Sequence, residues 1–305
     1  MKKAFIQLHI AVFLAGFTGL AGRLIDLNEG LLVWYRLFIT SVTMWILFYF
    51  TKKLRRVAWK DILKLTGVGF LSALHWVTFY GSIKYSNISV ALVCFSAVGF
   101  FTALLEPWLF RKKMNWIELF LGVLVMIGIY IIFQFDGKYQ TGIILGVISA
   151  VLIAISMIYF KTFVAKLGSE TTLTYQLTGA LVSLSLVMPL YLYRFPTDYI
   201  IPNLKDWMWL LILAWFCSVI AFQFTGHAIK KLSAFTVNLT FNLEPVYGIL
   251  LAFMIFKENK LLSIWFFVGL AIILSSLIIH VVLLMKEERK KKLHVLTESI
   301  PSADH

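Results

Sequence analysis

Glu244 stands in the stretch Asn242-Leu243-Glu244-Pro245, inside an apolar run that begins at Ala234. At about 1.5 Å per residue its carboxyl lies about 15 Å along that run, and an acid at such a depth among apolar neighbours is a candidate functional group. It can load and release a proton or anchor a substrate ammonium. The alternative is a structural carboxyl, neutral or paired, beside the kink that Pro245 introduces. Pro245 also removes the amide that would bond the carbonyl of Phe241, leaving an acceptor for a side chain or water. Asn238 and Asn242 are four residues apart and share one helix face, with Glu244 turned to the other side. The asparagine face is read as the cavity lining. His75 and Trp76 lie about as deep in another apolar run. A histidine there relays protons or binds a ligand, or it donates to a backbone carbonyl between helices. Trp76, Phe79 and Tyr80 furnish an aromatic wall or core packing. Arg36, about 9 Å from the end of its run, reaches the surface along its own stem, holds a carboxylate or phosphate, or pairs with an acid.

No constellation of soluble-type catalysis accompanies these residues. There is no phosphate-cradling glycine loop, no HExxH pair and no GxSxG elbow. Cys94 and Cys217 both lie in apolar runs without ligand-like spacing, so neither a disulfide framework nor a metal site is indicated. No cofactor is expected. An intramembrane enzyme or lipid-handling protein, with His75 and Glu244 as acid and base, is the rival reading and would need a nucleophile or metal that the sequence does not show.

The elements that position these groups follow from composition. The 305 residues are 60% hydrophobic and 14% charged, with a mean hydropathy of +0.87, whereas an average soluble domain is about 25% charged. A bilayer core about 30 Å thick takes about 20 apolar residues per helix, and such stretches alternate with short charged punctuation almost to the end of the chain. The pattern predicts an all-α integral membrane protein with ten transmembrane helices: 4–22, 30–50, 62–83, 88–110, 114–135, 141–160, 171–193, 206–228, 234–256 and 261–285. About twenty of the 28 lysines and arginines fall in alternate segments: the amino terminus, Lys52 to Lys64, Arg111 to Lys113, Lys161 and Lys166, Lys230 and Lys231, and Lys286 to Lys292. That asymmetry puts both termini in the cytoplasm. The net charge of +13 therefore reports orientation and not a nucleic-acid partner. Lys52 to Lys64 reads as an interfacial helix or as a solvated linker. The first span imitates a signal peptide in Lys2, Lys3, Ala21 and Gly22 but is read as retained. Residues 286–305 form a basic cytoplasmic tail too poor in apolar residues to fold. Gly142, Gly146, Ala150 and Ala154 place a small residue at every fourth position, which lets another helix come close.

Ile83-Lys84-Tyr85-Ser86 aligns with Ile229-Lys230-Lys231-Leu232, an offset of 229 − 83 = 146, and the same offset carries Arg111 onto Lys257 without a gap. The chain divides into a first five-span repeat (1–136) and a second (137–285), inverted because five is odd. Ser96 then stands opposite Asn242 and Gly99 opposite Pro245. Pairing Glu106-Pro107 with Glu244-Pro245 needs an offset of 138 and misaligns the span ends.

The span count, the repeat, Arg36 near the start of the second span and Asn242-Leu243-Glu244-Pro245 followed by an apolar run to Phe256-Lys257-Glu258 together resemble the drug/metabolite transporter superfamily, EamA type. The resemblance covers residues 4–285. It departs where Gly99 replaces a frequent proline and Lys112 a frequent glutamate. It implies a secondary transporter, an exporter or permease, of a small organic metabolite such as an amino acid or drug-like compound, working by alternating access in the plasma membrane. On that reading His75, Trp76, Tyr80, Ser96, Asn238 and Asn242 bind substrate, Glu244 couples protons, and Arg36, Gly99 and Pro245 gate or brace. The expected partners are a small-molecule substrate and the lipid bilayer, with no nucleic acid. A reporter that is active only in the cytoplasm should work when fused to the carboxyl terminus. An external reporter active there, or a mature chain starting near Arg23, would overturn the ten-span orientation.

Overall fold

The computed structural model describes residues 2–229, 231–232 and 234–298. Among the described residues there is no strand: lipid leaves a helix as the simplest way to satisfy every backbone group within one segment. The helices are α1 (Lys2–Arg23), α2 (Glu29–Phe50), α3 (Trp59–Tyr85), α4 (Ile88–Phe95), α5 (Val98–Phe110), α6 (Trp116–Phe135), α7 (Gln140–Leu167) and α8 (Ser169–Arg194). Then come α9 (Leu204–Leu211), a π-helical segment (Ile212–Ile220), α10 (Ala221–Ile229), α11 (Ala234–Phe241), α12 (Glu244–Phe256) and α13 (Ile264–Glu298). Nine helical stretches among the described residues are long and apolar enough to cross a bilayer, with α4–α5 and α9–α10 each counted as one. The expected span 234–256 is instead divided into α11 and the shorter apolar α12.

Local chemistry explains the boundaries. Asn28, Asn87, Asn115 and Asn203 each precede a helix, and their side-chain oxygens accept from backbone amides of the first turn of α2, α4, α6 and α9. Arg111 and Lys257 close α5 and α12 with left-handed backbone, φ 51° and 54°.

The offset of 146 recurs in the backbone. α4 starts at 88 and α11 at 234, they end at 95 and 241, α5 and α12 start at 98 and 244, and they end at 110 and 256. Packing repeats in the same way. α3 lies against α7 and α8, and its counterpart, the α9–α10 unit, lies against α1 and α2. α2 meets α8, α4 meets α12 and α6 meets α13. The two sets of helices are thus interleaved, each lending its third span to the other.

Small residues make the contacts close. A Cβ at Gly69 would stand 2.2 Å from the Gln176 carbonyl oxygen, and one at Gly179 would stand 2.5 Å from the Thr66 Cα, so α3 and α8 touch backbone to backbone. Gly142 and Gly146 of the small-residue stripe face Ser86 and Cys94 in the same manner.

One alternative is resolved, and one segment differs from expectation. Lys53–Ala58 forms no helix, so the linker reading holds and α3 begins at Trp59. α13 continues through the basic tail to Glu298. Lysine, arginine and glutamate are good helix formers, and they extend a helix whose costly first turn has already been laid down in the span. Residues 299–305 and Lys230 lie outside the described residues. Gly179→Leu should lower the thermal midpoint in detergent by several degrees, as overpacking of about 1–3 kcal/mol does. Gly67→Ala, where an added Cβ meets nothing within 4 Å, should leave it unchanged or raise it; equal effects would refute the close α3–α8 contact.

Candidate functional site

α2, α3 and the π segment converge on Arg36. Its side chain is only 3% exposed. Nε and Nη2 both donate to Ser218 Oγ, at 3.1 and 3.0 Å, and Nη1 donates to the Tyr80 hydroxyl at 2.9 Å. The guanidinium carbon stands 4.4 Å from the centroid of the Trp76 ring, in cation–π contact. Ser218 Oγ donates onward to the carbonyl of Leu213, five residues back, a spacing that belongs to the π turn. Among the described ion pairs none involves Arg36. The surface-reaching alternative therefore fails: acceptors and a ring face supplied by neighbouring helices keep the cation inside. Of the sequence candidates, Arg36, Trp76 and Tyr80 are brought together here.

His75 is placed otherwise. Its Nδ1 lies 2.8 Å from Ser149 Oγ and 3.1 Å from the Ser149 carbonyl oxygen, and its ring rests among Trp76, Phe79 and Phe95. It ties α3 to α7. One turn further along, Ser72, Ser156 and Gln176 join α3, α7 and α8 through contacts of 2.7 and 2.8 Å. Among the described residues no hydrogen bond or ion pair joins His75 to Glu244, so an acid–base couple between them is not assembled, and no group of three potential metal ligands occurs.

The remaining candidates gather at two helix interruptions. Ser96 and Ala97 separate α4 from α5, with tightened bonds from Ser96 N to the Val93 carbonyl and from Ala97 N to the Cys94 carbonyl. Asn242 and Leu243 separate α11 from α12, with Leu243 N bonded to the Thr240 carbonyl. Pro245 does not kink a continuous helix as expected. It sits in the first turn of α12, where its missing amide costs nothing. Glu244 opens that helix, a position that favours negative charge, and its carbonyl oxygen abuts Gly16 of α1. Asn242 is half-buried, and Gly99 faces open space in α5. The side chain of Asn238 lies outside what is described.

The two ends of the molecule differ. At the end carrying the amino terminus, a cavity of about 220 Å³ opens among Gln7 of α1, Met44 and Phe48 of α2, Glu170 of α8 and Phe222 of α10. The opposite end is stitched shut. Glu258, 3% exposed, accepts from Ile88 N, Ser89 N and Ser89 Oγ at 3.1, 2.9 and 2.6 Å, covering the amino-terminal end of α4. At the same end Asp206 accepts from the Asp26 amide and the Tyr199 hydroxyl, Lys205 pairs with Asp26 at 3.0 Å, and Lys84 Nζ donates to the Leu27 carbonyl. The repeat equivalent of Glu258 is Lys112. As a cation it is unsuited to the positive end of a helix, and it turns instead to Glu106 at 2.7 Å, with Lys161 also near at 3.8 Å. Glu106 therefore pairs with Lys112 and Lys161 and not with the neighbouring Arg111.

The profile of the EamA-like transporter family matches residues 2–134 and again 140–281. The chain belongs to this family. An uncharacterised transporter of Bacillus subtilis, YetK, is 24% identical over 292 residues, covering 92% of this chain and 87% of the relative. An uncharacterised transporter of Haemophilus influenzae is 28% identical over 171 residues, about half of each chain. A solved structure, titled only as the crystal structure of a protein, is 16% identical, covers 94% of this chain and 99% of its own, and has a TM-score of 0.63. That likeness concerns the fold. Together the matches make this EamA chain a multi-pass membrane transporter, and they point away from an enzyme.

Sequence reasoning passed over Ser218, Ser149 and Gln176, whose signal was a polar side chain in the middle of an apolar run. It quoted Glu258 only as part of a motif. If Glu258 holds the closed end, Glu258→Ala in a Cys217→Ser background should speed the reaction of the native Cys94 on α4, now 1% exposed, with a membrane-impermeant thiol reagent applied from that end. We expect a gain of about tenfold, the loss of charge-assisted hydrogen bonds of about 1.5–3 kcal/mol. An unchanged rate means that the end is closed by other contacts.

Proposed function

We propose that this EamA transporter is a secondary carrier of a small organic metabolite, such as an amino acid or drug-like compound, operating by alternating access as an exporter or permease. The observation that carries the reading is the contrast between the two ends: a cavity open at one, a buried carboxylate latch at the other, and interleaved repeats offset by 146 residues between them. With five crossings in each repeat the second is inverted, so the mirror arrangement would open the other end. Charge asymmetry favours the plasma membrane orientation in which the open end and both termini are cytoplasmic. His75, Trp76, Tyr80, Ser96, Asn238 and Asn242 are proposed to contribute to the substrate path, and Gly99 and Pro245 to its gating at the two interruptions.

Counterflow in proteoliposomes, run against a metabolite mixture with and without a pH gradient, tests the carrier reading; absence of any counterflow would count against it. Glu244 is proposed to couple the cycle to protons, since it opens α12 at the α11–α12 interruption and α12 packs directly on α1. Glu244→Gln should abolish gradient-driven accumulation and spare exchange, because a loaded carrier still reorients when no net proton movement is needed. Normal accumulation by this variant would make Glu244 structural. Loss of exchange together with folding would pass the coupling role to His75.

A further inference from the structure

We infer that Arg36 is the receptor for the carboxylate of a small organic acid, free or as part of a zwitterion, with Ser218 holding the place of that carboxylate while the site is empty. This rests on the carrier reading above and names the substrate class.

The first support is charge. A guanidinium buried in the bilayer core without an anionic partner is costly unless the function supplies one. Among the described residues its partners are all neutral: Tyr80, Ser218 and the Trp76 ring. The second is geometry. Nε and Nη2 form the edge of the guanidinium that binds carboxylates in the two-pronged manner, and on this edge a single hydroxyl oxygen, Ser218 Oγ, receives both bonds. A carboxylate seated there would give each N–H its own charged acceptor. Ser218 is also on the element best able to yield. It lies in the π-helical segment, and a shift of that turn toward α-helical bonding would rotate its hydroxyl off the fork.

The third support is the route. Phe48, Met44, Thr40 and Arg36 follow one another at four-residue spacing along a single face of α2, and the first two line the open cavity. Phe222 lines the same cavity from α10, and Ser218 is one turn deeper. Between cavity and guanidinium, Thr40 is 2% exposed and, among the described residues, its hydroxyl has no partner. The site is thus two turns inward from Met44 along α2 and one turn inward from Phe222 on the opposite wall. One positive charge balances one negative charge, which favours a monocarboxylate over a phosphate dianion.

The test uses the purified full-length protein in detergent, with thermal stabilisation as the readout. The probes are acetate, benzoate, alanine and phenylalanine, with ethylamine and phenethylamine as counterparts lacking the carboxylate and inorganic phosphate as the dianion. At least one carboxylate should stabilise the protein saturably, while the amines and phosphate should not. Arg36→Lys, which keeps the charge and loses the fork, should weaken that carboxylate about tenfold or more. Ser218→Ala should bind it more tightly by a few fold, since the competing hydroxyl is gone. Should the arginine variants fail to fold, the wild-type probe series and Ser218→Ala still decide. No stabilisation by any carboxylate, equal stabilisation by the amines, or undiminished binding in Arg36→Gln overturns the assignment. Counterflow separates the two readings: counterflow of cationic or neutral solutes alone sinks the carboxylate receptor and leaves the carrier. Carboxylate binding that depends on Arg36 without any counterflow does the reverse.

Discussion

Helices in a bilayer gain nothing by hiding apolar side chains from an equally apolar solvent, so their association depends on how closely backbones can approach and on polar contacts between them. In this protein the approach is set by glycines. α3 and α8 meet where Gly69 and Gly179 leave no room for even a methyl group, α1 and α12 meet at Gly16 and Gly248, and α6 and α13 meet at Gly128 and Gly269. These seams join helices from different repeats. The interleaved architecture follows, because neither repeat can bury its third span without the other. Polar bridges then fix what the glycines allow: His75 to Ser149 and Gln176 to Ser72 both cross between repeats.

On this scaffold the symmetry of the backbone is kept and the symmetry of the chemistry is broken. The helix interruptions, their spacing and the left-handed residues that end α5 and α12 agree between repeats. Glu258 and Lys112 occupy equivalent places with opposite charge, and only the acid can accept amides at the start of a helix. The end that is closed in this structure is the end that has the acid. That pair is where the two repeats differ in charge at matching positions, while the backbone around it is alike on both sides.

Much of this was legible in the sequence because membrane helices announce themselves by length and by the absence of charge. The span ends near Phe50, Phe110 and Phe256 and the 146-residue offset needed only that rule. The interruptions were not legible as such: Pro245 pointed to a kink, but the α4–α5 break at Ser96 and Ala97 has no proline, and tertiary packing decides it. The helix over 286–298 was not expected, because composition alone ignores one already running into that segment. At the site, residue type singled out Arg36, His75, Trp76 and Tyr80, while the serines that hold them were hidden. Ser218 and Ser149 are ordinary residues until a neighbouring helix is known, and a π turn leaves no periodic trace that sets it apart from an α-helix in so apolar a run.

The buried cation has a consequence for energetics across the membrane. Arg36 stands about 10 Å from one end of a core about 30 Å thick, and the cavity brings water, and with it the electrical potential of one compartment, to within a few turns of it. If access alternates between the two ends as proposed, the voltage drop moves past the guanidinium even when the guanidinium stays still. On the proposed carrier cycle an unloaded molecule would do electrical work on reorienting, up to about 2.3 kcal/mol per 100 mV for a full charge, whereas one whose cation is neutralised by a bound anion would do little. Membrane potential would then act on the empty half of the cycle, making it a clock for the return stroke independent of any ion carried.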